Sequence, residues 1–281
     1  MLFSGPVTSI GAFRCPVGHP AFHNSGPIER CVVVFPRTSV WIRHEGSRPF
    51  VADPNVVTIY NRAQRYERSA LSPDGDRCDW FAIADQTARE IVAAFDSGAA
   101  EQERGPFTFQ RAPSTPGLYL AQRRLMLRAE AGATDALETE EAVVGIVAGV
   151  LALAYQRVPR PLERSTTARR RQDLVEHAKA ELVRTVAVNR SVAEVARAVG
   201  TSVFHLCRIF RACTGRTMHA YRSDLRLRLA LELLSGAGTR ARLSDIAHRV
   251  GFASHSHFVQ QCRRHLGVTP GAVRAQLGTG D

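Results

Sequence analysis

The apolar positions of this chain fall into two periods. Up to about residue 83 they form short β-branched runs: Cys31-Val-Val-Val-Phe35, Val40-Trp-Ile-Arg-His44, Val56-Val-Thr-Ile-Tyr60 and Trp80-Phe-Ala-Ile-Ala84. Turn formers separate them, at Glu45-Gly-Ser, Asp53-Pro-Asn55 and Ser72-Pro-Asp-Gly75. Strands this short and this closely spaced predict a small antiparallel sandwich or barrel. Beyond Asp85 the period becomes helical. Residues 86–95 place Ile91, Val92 and Phe95 on one face, and 118–131 carry Leu120, Leu125, Met126 and Leu127. A third helix is expected to open at Thr139 as cap, with acids in its first turn, and to run to about Arg157. Between 142 and 155 it is apolar on much of its circumference, which suits a central helix or a subunit interface. That stretch is too short to span a bilayer.

Two prolines and a polar run make 158–168 a linker. A helix over 169–188 follows, with Leu174, Ala178, Leu182 and Val186 on one face. Two similar patterns then occur about fifty residues apart. In the first, Val192, Val195, Ala196 and Val199 are core positions, Gly200 turns the chain, and Ser202 caps a second helix buried by Leu206, Ile209 and Phe210. In the second, Leu243, Ile246, Ala247 and Val250 are core, Gly251 turns, Ser254 caps, and Phe258 and Cys262 anchor. A long helix over 218–234 joins them. Two short helices at a sharp angle are the shape that enters a DNA major groove.

Charge supports that reading. The net charge is +11, but residues 160–281 hold 21 basic residues against 9 acids (+12), and residues 1–159 hold 16 against 17 (−1). The basic excess therefore sits with the paired motifs, and double-stranded DNA is the partner it fits. On the groove side the first unit offers Val203, Phe204, His205, Cys207, Arg208 and Arg211; the second offers His255, Ser256, His257, Gln260 and Arg263. Arg208 matches guanine with two hydrogen bonds and Gln260 matches adenine. Arg264 is expected on a phosphate or a carboxylate.

The amino-terminal half gives weaker chemistry. Cys15, His19 and His23 are evenly spaced, and with Cys31 and Cys78 they could hold zinc or another borderline metal. A small organic effector is the alternative, in a pocket lined by Trp41, Tyr60, Tyr66, Trp80 and Phe81, with Arg43, Arg62, Arg65 and Arg68 for an anionic group. No glycine fingerprint follows a strand and no nucleophile-base-acid set stands out, so catalysis is not expected. The first eleven residues lack the basic start and apolar stretch of a signal peptide, so a cytoplasmic location with reduced thiols is expected.

At these residues the chain resembles a known family. Residues 170–275 are similar to the DNA-binding domain of AraC/XylS-type transcription regulators, on Ala196, Ser202, Leu206, Arg208, Phe210, Gly215, Tyr221, Arg226, Ala230, Leu233 and Leu234 and, in the second half, Ile246, Ala247, Gly251, Phe252, Ser254, Phe258, Gly267, Pro270 and Arg274. Met218 stands where that family usually has proline, Cys262 where it has an aromatic and Val273 where it has tyrosine. The resemblance implies two recognition helices in successive major grooves, reading bases around His205 and Arg208 and around Ser256 and Gln260. It also implies an amino-terminal cupin-like sensor barrel, dimerising helices and RNA polymerase as a further partner. The expectation is thus an α+β chain: a cupin-like sensor and dimerisation domain over 1–157, a linker over 158–168 and an all-α domain with two helix-turn-helix motifs over 169–281. It would act as a ligand- or metal-responsive regulator. The alternative is a cupin-like metal-binding protein or enzyme with an appended DNA-binding domain.

Overall fold

The computed structural model describes residues 1–133, 135–156, 166–235 and 241–278. The chain divides into two units, Met1–Arg157 with Gln276–Asp281, and Val158–Ala275. The first unit opens with strands β1 (Phe3–Ser4), β2 (Thr8–Cys15), β3 (Asn24–Ser25), β4 (Cys31–Pro36), β5 (Val40–His44), β6 (Phe50–Ala52), β7 (Val56–Tyr60), β8 (Tyr66–Ala70) and β9 (Asp76–Ile83). Helices α1 (Asp85–Ala93) and α2 (Ser97–Ala100), strand β10 (Arg111–Pro113), and helices α3 (Pro116–Glu130) and α4 (Ala136–Gln156) follow.

The strands form two antiparallel sheets, ordered β1-β2-β9-β4-β7-β10 and β3-β8-β5-β6. Neither closes, so the expected cupin-like barrel is corrected to two open sheets. The reason is local. Strands β6 and β7 are consecutive but lie in different sheets. Asp53 carries the chain across, its carboxylate accepting from Asn55 N (2.8 Å) and its carbonyl from Val56 N (2.8 Å). An Asx turn of this kind redirects the backbone where a barrel would continue its ladder. The sheets face each other across a cavity of about 720 Å³.

Strand β9 shows the layering. Cys78, Trp80 and Ala82 line the cavity. Asp79, between them, is fully buried and takes Arg123 of α3 at 2.7 Å. Helix α4 packs on the same sheet, against β2, β9 and β10. Its buried face is Val143, Ile146, Val147, Val150, Leu151 and Ala154, as a central helix requires. It begins three residues before Thr139. Asp135 accepts from Glu138 N (2.9 Å), and Thr139 is a buried residue of the first turn rather than the cap.

Most of the predicted linker, through residue 165, lies outside the described residues. Its last three residues already belong to α5 (Thr166–Arg184). Then come α6 (Val192–Ala198), α7 (Val203–Thr214), α8 (Met218–Leu234), α9 (Leu243–Arg249), α10 (His255–Leu266) and α11 (Pro270–Gly278). One core joins α5, α6, α7 and the first half of α8 through Val175, Leu182, Val195, Leu206, Phe210 and Tyr221. The Phe210 and Tyr221 rings meet edge to face at 5.5 Å. Around the second motif Ile246, Ala247, Val250, Phe252, Phe258, Cys262 and Val273 are buried, with Phe252 and Phe258 stacked at 5.2 Å.

Candidate nucleic-acid interface

Each motif is built by its own caps and turn. Ser191 accepts from Glu194 N, and the Glu194 carboxylate accepts from Ser191 N at 2.8 Å, a reciprocal capping box that starts α6. The Ser-x-x-Glu spelling at 191–194 was the signal for it, unused in the sequence reading. Those bonds hold the Glu194 carboxyl below its usual range. Ser202 accepts from His205 N to open α7, and Ser254 from His257 N to open α10, as predicted. Val192 departs from the expectation. It is the first residue of α6 and 38% exposed, because a first-turn side chain projects back past the end of the helix.

The two turns differ. Gly200 has φ +70° with open space around it. Gly251 has φ +93°, and a Cβ there would lie 2.6 Å from the Ala187 carbonyl oxygen. The second motif thus lies directly against the connection between α5 and α6. Arg226 of α8 holds that connection from the other side, donating to Val186 O (2.7 Å), Val188 O (3.3 Å) and Asn189 Oδ1 (3.0 Å). Burial and the neighbouring Arg222 lower Arg226 to about 10. Arg222 donates to Arg190 O at 2.8 Å and Arg274 to Ala241 O at 2.7 Å. Arg216 pairs with buried Asp224. Part of the basic excess is therefore committed to the fold, which residue counting does not distinguish from surface charge.

On α7, Val203, Phe204, Cys207, Arg208 and Arg211 are all exposed, at helical spacing on one face, and His205 is half-buried. Phe204 is 79% exposed. On α10, His255, Ser256, Gln260 and Arg263 are exposed, as is Arg264. His257 is half-buried, its ring edge-on to Phe252 at 5.4 Å. Both second helices thus present a polar, cationic face, α7 adding an apolar patch.

The predicted residues of the first unit fare differently. Cys15, Cys31 and Cys78 are buried free thiols. Cys31 pairs with Ile83 of β9, five residues along from Cys78, a separation of roughly 17 Å. Among the described residues no group of three or more His, Cys, Asp or Glu could hold a metal. The expected set of Cys15, His19, His23, Cys31 and Cys78 is not assembled; His19 instead caps a short turn by accepting from Ala21 N. Of the expected pocket residues Tyr60, Tyr66 and Trp80 line the cavity between the sheets, while Trp41, Arg43, Arg62 and Phe81 do not. Arg43 pairs with Glu67, Arg62 with Asp85 and Arg68 with Asp76, so those arginines carry carboxylate partners already.

Comparison with known proteins bears on the second unit. A family model described as a helix-turn-helix domain matches residues 195–276. The HTH-type transcriptional regulator GlxA of Rhizobium meliloti (strain 1021) is 34% identical over 85 residues, 30% of this chain and 26% of that protein. The chain thus matches about a quarter of the length of that curated relative. An AraC-type DNA-binding-domain regulator from Chromobacterium violaceum is similar over 38% of this chain and 95% of its own, with 30% identity and a TM-score of 0.36. ToxT from Vibrio cholerae is similar over 98% of this chain and all of its own, at 12% identity and a TM-score of 0.38. Residues 195–276 are a helix-turn-helix domain.

Proposed function

We propose that this chain is a sequence-specific DNA-binding transcription regulator whose first unit responds to a small molecule. The observation that carries it is the pair of exposed second helices, α7 and α10, each fixed by a serine cap and a turn glycine in the basic part of the chain. In this reading Arg208 and Gln260 read bases, with Phe204 and Val203 against thymine methyl groups and Arg211, Arg263 and Arg264 on phosphates. His205, Cys207, His255 and Ser256 complete the two faces, and His257 serves mainly as packing. The cavity between the sheets supports the sensing part, since it is of the size that small-molecule sites have. A second copy of the chain, engaged through the half-exposed side of α4, would place two such readers on one operator.

The test is selection from random duplexes, followed by Arg208→Ala and Gln260→Ala on the selected site. Each variant is expected to lose discrimination at one or two base pairs, by about 1–3 kcal/mol. Equal weakening on every sequence would assign these side chains to the backbone instead. No preference for any sequence would sink the regulator reading.

A further inference from the structure

The cavity between the sheets says what kind of molecule it would hold, an inference that rests on the sensing reading above. Its walls are largely apolar, from Val32, Val34, Val40 and Ile42, with the rings of Tyr60, Tyr66 and Trp80. Trp80 owes its position to Gly11, its partner on β2: a Cβ at residue 11 would lie 2.4 Å from Trp80 Cζ2. The indole therefore lies close over the neighbouring strand.

The charged side chains in the lining are Glu29, Arg30 and Asp76. Asp76 is bound to buried Arg68 at 2.5 Å. Arg30, half-buried, donates to Ser9 Oγ at 3.0 Å and follows an exposed glutamate of opposite charge. Asp76, buried in the lining, is neutralised by Arg68, while Glu29 and the Met1 amino terminus are exposed and Arg30 is half-buried. An ion brought deep between the sheets would therefore meet no buried charge in that lining left without a partner. Burial pushes the Tyr60 hydroxyl and the Cys78 thiol well above their usual ranges, so neither adds an anion. What the walls offer is aromatic surface and neutral polar atoms, on Thr58, Tyr60, Tyr66 and Ser9.

We infer that the cavity takes an uncharged, ring-bearing small molecule with one or two hydroxyl or carbonyl groups, and rejects carboxylates and ammonium ions of the same size. Moving an unpaired ion out of water costs far more than moving a hydroxyl that finds a hydrogen bond. This runs against an anionic group held by Arg43, Arg62 or Arg68, each of which already has a carboxylate partner.

The experiment is calorimetry on the full chain at neutral pH with three matched probes: 4-hydroxybiphenyl, biphenyl-4-carboxylate and biphenyl-4-methylammonium. The neutral probe is expected to bind at least about tenfold more tightly than either ion, a gap of about 1.4 kcal/mol. Ala82→Phe, which fills the cavity beside Trp80, should abolish that binding while leaving operator affinity intact. Asp76→Asn uncovers the Arg68 charge and should turn the preference toward the carboxylate. If that variant does not fold, the wild-type series and Ala82→Phe decide. Equal or tighter binding of the carboxylate by the wild type would overturn the inference and make Arg30 an anion anchor. No binding of any probe at millimolar concentration would overturn it too. Operator affinity with and without the neutral probe separates the two readings: tight, neutral-selective binding with unchanged operator affinity would uphold the ligand class and sink the sensing reading.

Discussion

At the scale of single residues, the two turn glycines make a controlled pair. Both hold a left-handed backbone, but only Gly251 abuts other backbone. Gly200→Ala is expected to cost about 1–2 kcal/mol, the strain of a side chain in that region. Gly251→Ala should cost about 3 kcal/mol or more, since a collision with Ala187 is added. Denaturant midpoints of the two variants check this, and equal costs would remove the proposed contact. His44 supplies a pH dependence. It is fully buried against Phe50 and Tyr60, and burial, with the nearby Arg111 charge, lowers it to about 4. An unfolded histidine titrates near 6.5. Between pH 6.5 and 4 the unfolded chain takes up a proton that the folded chain refuses. Stability should therefore fall as pH falls through that window, at up to about 1.4 kcal/mol per pH unit from this group. His44→Phe should flatten the dependence there. Both tryptophans, Trp41 and Trp80, lie in the first unit, so their fluorescence follows its unfolding alone. An unchanged slope in the variant would assign the acid sensitivity to other groups.

At the scale of elements, the buried pair between Arg123 and Asp79 is the polar tie between α3 and β9. Arg37 stands 3.6 Å from the other Asp79 oxygen. Arg123→Met leaves the carboxylate buried with a weaker partner and should cost about 3 kcal/mol, the lower end for breaking a buried pair. Adding Asp79→Asn should recover much of that in a double-mutant cycle; simple additivity would show that the two side chains do not act together. This tie was not legible in the sequence, because nothing local distinguishes Asp79 from a surface acid. Strands β5 and β7 were legible to the residue, since Val40–His44 and Val56–Tyr60 are β-branched runs between turns. Strand β2 was missed because both its faces are buried over its first half, which erases the alternation. Strand β8 was not legible as a strand, because Glu67 and Arg68 break its apolar run, although Arg68 is buried and neutralised by Asp76. The second unit was far more legible. Caps, turn glycines and core spacings are local there, and local signals survive without knowledge of the tertiary contacts. The cysteine–histidine cluster failed for the opposite reason: even spacing in the chain did not bring its members together in space.

At the scale of the whole molecule, charge and assembly meet in one measurement. One side of α4 is only half covered, at Val144, Ala148, Ala152 and Leu153, and Leu137 at its start is exposed. Water against that much aliphatic surface favours covering it, and a symmetric pair of such helices does so. Among the described residues no helix is long and apolar enough to cross a membrane, so lipid spanning is not what this helix is built for. The full chain is expected to scatter light as a particle of about twice its 30.8 kDa mass. Val144→Arg should return it to one copy, since an arginine facing its own image repels as well as leaving the helix poorly covered. DNA binding then gives an independent reading of the same change. Each bound phosphate releases counterions, so log affinity falls with log salt at a slope of roughly 0.9 per phosphate. A dimer on paired half-sites neutralises twice as many phosphates as one copy. The Val144→Arg variant should therefore show about half the wild-type slope on the same duplex. Its preference for a single half-site should be unchanged, because the exposed faces of α7 and α10 are untouched by the substitution. A monomeric wild-type chain would exclude this face as the interface, and a variant that becomes monomeric but keeps the full salt slope would show that one copy of the chain makes all the phosphate contacts.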